Sequence, residues 1–172
     1  VAYGKPIMII TPRMSFGTGH HATTYLGIEQ MSTLDLINKT VLDFGTGTGV
    51  LAILAEKMGA SSVKAIDNDE WSIENLKENI AANGCKKIII QQADSIPVDQ
   101  HFDVIQANIN LHVILASLPA IAEVSKTGTI VLLSGFLEHD ITTLYSAIKE
   151  NNFSINGTTK KGEWVCFRIS KN

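Results

Sequence analysis

Short apolar runs and amphipathic stretches alternate along this chain, and the alternation predicts its architecture. Residues 41–44 (VLDF) read as a strand. Over 50–58, Leu51, Leu54, Ala55 and Met58 recur at three- and four-residue steps, which places them on one face of a helix. A strand over 63–66 and a helix over 71–83 repeat the pattern. Further strands are expected at 87–91, 102–107 and 129–134, with helices near 112–125 and 138–151. Strands alternating with helices require right-handed crossovers and hence a mostly parallel sheet. Upstream, 7–11 (IMIIT) reads as an opening strand, 13–20 as a glycine-containing loop, and 22–31 as helical despite Thr23 and Thr24. The chain ends differently: 153–159 and 164–169 are two strands whose polar link is too short for a helical crossover, so an antiparallel hairpin is expected.

In such a sheet, ligands sit beyond the carboxyl ends of the strands, so the turn after 41–44 is the place to look for chemistry. Gly45, Gly47 and Gly49 occupy it. Glycine permits unusual dihedrals and lets a ligand approach where a Cβ would otherwise stand. The spacing disfavours two nucleotide-binding patterns. A dinucleotide fingerprint would put its third glycine at position 50, where Val50 stands, and no Gly-Lys-Ser/Thr follows to make a phosphate loop. Asp43 would repel a pyrophosphate and suits a ligand carrying a positive sulfonium and an ammonium. Asp67 ends the second strand, 22 residues after Gly45, where a carboxylate can accept hydrogen bonds from both ribose hydroxyls. Asp69 fits a helix cap better. Asp94, beyond the third strand, is a candidate for the adenine amino group, with a cap on the turn before Pro97 as the other reading.

Composition narrows the class. At 172 residues, 45% hydrophobic and 18% charged, the chain has the size of one domain with one sizeable core. A formal charge of −3 lacks the basic footprint of a protein that grips nucleic acid directly. No window is long and apolar enough for a membrane span, and the first residues do not form a signal peptide. Cys85 and Cys166 give no disulfide framework and read as free thiols in a reducing cytoplasm. His20 and His21 are adjacent and so diverge, while His101, His112 and His139 lack ligand spacing; no metal site is expected.

Four blocks in order, 13–24 (RMSFGTGHHATT), 42–53 (LDFGTGTGVLAI), 106–109 (QANI) and 133–135 (LSG), together resemble the catalytic domain of the ribosomal protein L11 methyltransferases, the PrmA type. The likeness runs from about residue 12 to the terminal GEW at 162–164. It implies an α/β, Rossmann-like Class I methyltransferase fold: a mostly parallel seven-stranded sheet flanked by helices, with a C-terminal antiparallel hairpin. It implies S-adenosyl-L-methionine as cofactor and methylation of amino groups, lysine side chains and the N-terminus, of ribosomal protein L11. The family's cofactor contacts carry over onto Thr24, Gly45, Asp67 and Asn108. Thr24 rests on the resemblance alone, whereas Asn108, at the end of the fourth strand, has an amide that can both donate and accept beside the reacting methyl group. With Gly47 and Asp94 from the fold reading, these form the expected cofactor set.

No catalytic base is assigned. His20 or His21 is a candidate, but a dry pocket that favours the neutral amine and holds it in line, with the proton passing to water, is the expected mechanism. The sequence departs from the family at HATT, where HPTT is usual, at His20, where threonine is common, and at Asn110–His112. With Val1 as its first residue, the chain is expected to be the catalytic half, 1–172, without the family's amino-terminal recruiting domain. The rival readings are a methyltransferase of another protein, an RNA or a small molecule; a dehydrogenase; and a cofactor-binding module without turnover.

Overall fold

The computed structural model describes residues 7–11 and 20–172. The elements run α1 His20–Met31, β1 Thr40–Phe44, α2 Val50–Lys57, β2 Ser62–Asp67, α3 Glu70–Ala82, β3 Ile88–Gln92, β4 Phe102–Asn108, α4 Leu111–Glu123, β5 Ser125–Leu137, α5 Ile141–Glu150, β6 Phe153–Lys161 and β7 Trp164–Lys171. A 3-10 turn at Glu138–Asp140 leads into α5. The seven strands form one sheet in the order β3-β2-β1-β4-β5-β7-β6. β1 to β5 are parallel, and β7 runs antiparallel to both β5 and β6. The expected fold class is the one observed.

The central strands are mostly apolar because helices cover both faces of the sheet, with Asp43, Lys64 and Gln106 as buried exceptions. Alternation within β1 shows this directly. Leu42 and Phe44 enter a core built with Ile105, Ile114, Leu118, Leu144 and Ile148 from the α4/α5 side. Val41 faces the other way, into a core with Leu51, Leu54, Val63, Ala65 and Leu76. β1 is thereby pinned between two helical layers, and its carboxyl end, where the candidate site lies, is a rigid part of the molecule.

The terminal hairpin turns at Gly162 and Glu163, with Lys161 opposite Trp164. Gly162 has φ +61 at the first of the two loop positions, where a two-residue turn matched to strand twist needs a positive φ. The sequence pattern does not foretell that β7, the last strand, inserts between β5 and β6. Both cysteines are free; burial pushes the Cys166 thiol, inside β7, up to about 12.

One expected element is absent. Residues 7–11 form no strand but an extended segment lying along α3. Asn83 bonds both main-chain groups of residue 9, accepting from its N–H through Oδ1 at 2.9 Å and donating to its carbonyl through Nδ2 at 2.6 Å. Asn79 Oδ1 accepts the Thr11 N–H at 3.0 Å, and Asn75 Nδ2 donates to the Thr11 carbonyl at 2.9 Å. The apolar run therefore satisfies its backbone on helix side chains instead of a sheet edge, leaving Ile7 and Ile9 exposed.

Candidate functional site

β1 ends in a turn folded against the end of β2. The Gly45 and Thr46 amides both donate to the Ile66 carbonyl, at 2.8 and 3.0 Å, and Gly49 donates back to the Thr46 carbonyl at 2.9 Å. Gly45, Gly47 and Gly49 have φ of +75°, +54° and +82°, in the region that costs other residues roughly 1–2 kcal/mol. The surroundings divide the three. A Cβ on Gly45 would stand 2.1 Å from Ile109 Cγ2, and one on Gly49 2.2 Å from Leu76 Cδ1. A Cβ on Gly47 would meet nothing within 4 Å among the described residues. Two of the glycines are needed for packing, and only the middle one turns toward open space.

Asp67 is held beside that open position. Its Oδ2 accepts the Gly47 amide at 2.9 Å and its Oδ1 accepts the Asp69 amide at 3.0 Å. Each oxygen keeps a lone pair, so the carboxylate is oriented by the backbone and still able to accept two hydroxyls. Asp69 caps α3, as its sequence position suggests: its Oδ2 accepts from the Ser72 amide at 2.8 Å and the Ser72 hydroxyl at 2.9 Å, a contact worth about 1 kcal/mol. The Ala93 amide donates to the Asp67 carbonyl at 3.0 Å, so the chain leaves β3 beside Asp67 and presents exposed Asp94 next. Asp94 takes no capping bond from any described residue.

The opposite wall is the end of β4. Asn108 pairs with Ser134 of β5, and the Ile109 amide donates to the Ser134 carbonyl at 3.0 Å. The Asn108 carbonyl lies 3.8 Å from where a Gly45 Cβ would be, which sets the fourth strand directly against the glycine turn. Asn108 is partly buried, and its side-chain amide has no partner among the described residues. Asn110 caps α4, accepting the Val113 amide at 3.1 Å, which gives the unusual Asn110–His112 stretch a structural role. Gly135 has φ +99°, and a Cβ there would lie 2.2 Å from the Ile109 carbonyl oxygen. Ile109 is thus seated between Gly45 and Gly135, so three of the four sequence blocks meet at one residue.

Thr24 lies partly buried on α1, three residues before Gly27 and so on the same face. A Cβ on Gly27 would meet Leu51 Cδ1 at 3.2 Å, so that face packs on the first turn of α2, just after the glycines. No hydrogen bond joins Thr24 to the turn among the described residues. The loop over 13–19 and the side chains of His20 and His21 lie outside the described residues.

Asp43 is a site residue whose importance sequence reasoning understated. It is 1% exposed within β1, where its Oδ2 accepts the Thr46 hydroxyl at 2.7 Å. Its Oδ1 is buried with no hydrogen-bond partner among the described residues. Burial raises the carboxyl to about 6; the Thr46 bond lowers it, and the nearby Asp67 charge raises it further. The Ala52 amide also favours the charged form, without bonding Oδ1. A buried acceptor that the described residues leave unsatisfied fits a cationic ligand, and the oriented carboxylate of Asp67 fits a ribose. The signal was in the sequence: an aspartate inside an otherwise apolar strand.

This sheet, with its reversed strand beside β5 and a glycine turn bonded to the carboxylate that ends β2, has the arrangement of the Rossmann-like Class I methyltransferase fold. The sequence model of the family described as "Ribosomal protein L11 methyltransferase (PrmA)" matches residues 3–172. The chain is 42% identical over 165 residues to a ribosomal protein L11 methyltransferase of Porphyromonas gingivalis, covering 95% of this chain and 57% of that protein. It is 40% identical to one of Chlorobaculum tepidum, covering 94% and 58%. A crystal structure of a ribosomal protein L11 methylase from Lactobacillus delbrueckii superposes with a TM-score of 0.87 at 34% identity, over 94% of this chain and 83% of that one. A precorrin-6y C5,15-methyltransferase of Geobacter metallireducens, at 12% identity and a TM-score of 0.76, shares the fold alone. The chain belongs to the ribosomal protein L11 methyltransferase family, and it spans less than two thirds of the length of the curated relatives it matches.

Proposed function

We propose that this chain is the catalytic domain of an enzyme that methylates amino groups, lysine side chains and the N-terminus, of ribosomal protein L11. The observation that carries the reading is the family match over nearly the whole chain, joined to a cleft whose polar groups suit the cofactor. Thr24, Gly45, Gly47, Asp67, Asp94 and Asn108 form the cofactor contacts in this reading. Asp67 accepts the ribose hydroxyls, Gly47 leaves room for the ligand's backbone-side face, and Asp43 balances its positive charge. When bound, S-adenosylmethionine supplies an electrophilic methyl carbon that an unprotonated amine attacks in line as the carbon–sulfur bond breaks.

A lysine amine, with a pKa near 10.4 in water, must first shed its proton. The Asn108 amide and the carbonyls at the end of β4 hold the amine with its lone pair aimed at the methyl group, and exclusion of water favours the neutral form. The proton then passes to water, and no residue of the chain acts as nucleophile. The site of action is the cytoplasm; no helix of the described residues is long and apolar enough to cross a membrane.

The test is transfer of labelled methyl from S-adenosylmethionine to isolated ribosomal protein L11, using this chain alone and joined to the amino-terminal domain of a family relative. Label on lysines or the N-terminus of L11 supports the proposal. Label on RNA alone, or cofactor binding with no transfer by either form, contradicts it.

A further inference from the structure

Asn75, Asn79 and Asn83 stand four residues apart on α3 and therefore on one face. Asparagine is a poor helix former, and burying its amide is costly unless both ends are bonded. Yet Asn75 is 3% exposed and Asn79 1%. The three amides are spent on main-chain groups. Asn83 holds residue 9, its Nδ2 also donating to the Asn79 carbonyl at 2.7 Å, and Asn75 holds the Thr11 carbonyl; neither side chain bonds the glycine turn among the described residues. Asn79 differs. Its Oδ1 accepts the Thr11 amide at 3.0 Å while its Nδ2 donates to the Thr48 carbonyl at 2.8 Å. Thr48 sits between Gly47 and Gly49, inside the turn that faces the cofactor, so one side chain joins the docked segment to the cofactor turn.

We propose that Asn79 is a positioning residue for the cofactor site: it fixes the Thr48 peptide and clamps the segment over 7–11 with the same amide, so that docking of the segment and binding of the cofactor reinforce each other. The inference rests on the glycine turn being the cofactor site. The Gly47 and Gly49 amides on either side are bonded to Asp67 and to the Thr46 carbonyl, and the Thr48 carbonyl is held by Asn79, so the side chain of α3 completes the hydrogen bonding of the turn. The Asn79 amide is planar, so a shift of the Thr48 carbonyl reorients the acceptor that Thr11 uses. By linkage, a ligand that favours one arrangement of the turn must favour the matching arrangement of the segment.

The experiment is hydrogen exchange at the Ile9 and Thr11 amides, with and without saturating S-adenosylhomocysteine, alongside calorimetric titration of the same ligand. Three proteins are compared: the chain itself, Asn79→Ala and Asn83→Ala. Exchange at the amides of the β6–β7 hairpin, far from the turn in sequence, reports how much the ligand stabilises the protein as a whole. In the unaltered chain the ligand slows exchange at residues 9 and 11 several-fold more than it slows exchange in the hairpin. Asn79→Ala loses that response and binds the ligand about fivefold more weakly, the loss expected for one hydrogen bond. Asn83→Ala exchanges faster at Ile9 with and without ligand but keeps the response at Thr11. Ligand binding with no effect on exchange at residues 9 and 11 of the unaltered chain overturns the proposal without requiring any variant to fold. So does unaltered affinity in Asn79→Ala. Failure of the unaltered chain to bind S-adenosylhomocysteine overturns the cofactor reading itself, and the calorimetry tells the two failures apart.

Discussion

The turn after β1 and the junction of β4 with β5 both depend on glycines at positive φ, but the two regions use them for opposite ends. At the junction, Gly135 admits the Ile109 backbone to a place where any Cβ would collide with it, and Gly45 receives the Ile109 side chain from the other direction. Those glycines are filled by protein. Gly47, two residues from Gly45, has nothing within 4 Å of its Cβ position among the described residues. A glycine motif thus mixes positions whose Cβ would collide with the fold and one whose Cβ would not, and only the second leaves room for the proposed ligand.

The contrast can be broken by substitution. Gly135→Ala carries the largest expected effect: backbone atoms at 2.2, 2.8 and 3.0 Å cannot rotate away as a side chain would. Strain and overpacking together should cost about 3–5 kcal/mol, read as a lower urea midpoint. A loss under about 1 kcal/mol would mean that the junction is not close-packed.

Asp43 tests the ligand-facing side. Its carboxyl is raised from 3.8 to about 6, so it stabilises the ligand-free protein fully below pH 3.8, and that contribution is lost as the pH rises through 6. Stability of the ligand-free protein should therefore fall by about 3 kcal/mol between pH 4 and 7 on account of this group. Asp43→Asn should flatten that slope in thermal unfolding, raise the unfolding temperature at pH 7, and weaken S-adenosylmethionine. A variant with the same pH slope would show that Asp43 is not the group responsible. Gly47→Ala should cost only about 1–2 kcal/mol of stability, for the left-handed backbone, but lower cofactor affinity in calorimetry by more than that strain accounts for. Equal losses would leave the open position without a ligand.

Asp103 lies away from the cleft and sets the small end of the scale. A bond from the Thr40 backbone amide, with the Lys126 ammonium and the Thr40 hydroxyl, holds its carboxyl down at about 2. The stability this contributes is present above pH 3.8 and lost as the pH falls through about 2. The carboxylate is partly exposed and its Lys126 partner more so, so solvent screens the pair and Asp103→Ala should cost about 1 kcal/mol at neutral pH, with cofactor affinity unchanged. A change in affinity would blur the separation of scaffold from site.

How far the sequence revealed this division depended on range. Strands and helices after residue 40 were legible because their apolar periods are local, and Asp69 was legible as a cap because capping is a matter of three residues. Asp67 could be placed at a strand end, but its orientation by the Gly47 and Asp69 amides is a property of the folded turn. Residues 7–11 misled because an apolar extended run does not say what its backbone bonds to; the answer lay more than 60 residues away, on Asn75, Asn79 and Asn83. Ile109 was legible only as the last residue of the QANI block; its packing role is defined by two glycines distant in sequence. Thr24 is still supported by resemblance and by the packing of its helix face, not by a contact of its own.

The central claim is that the cleft between the glycine turn and the end of β4 binds S-adenosylmethionine through Asp67. Calorimetric titration of S-adenosylhomocysteine into the chain and into Asp67→Ala tests it most directly. Loss of charge-assisted bonds worth about 1.5–3 kcal/mol should weaken binding roughly 10- to 150-fold while the variant remains folded. Equal affinity in the two proteins would contradict the assignment.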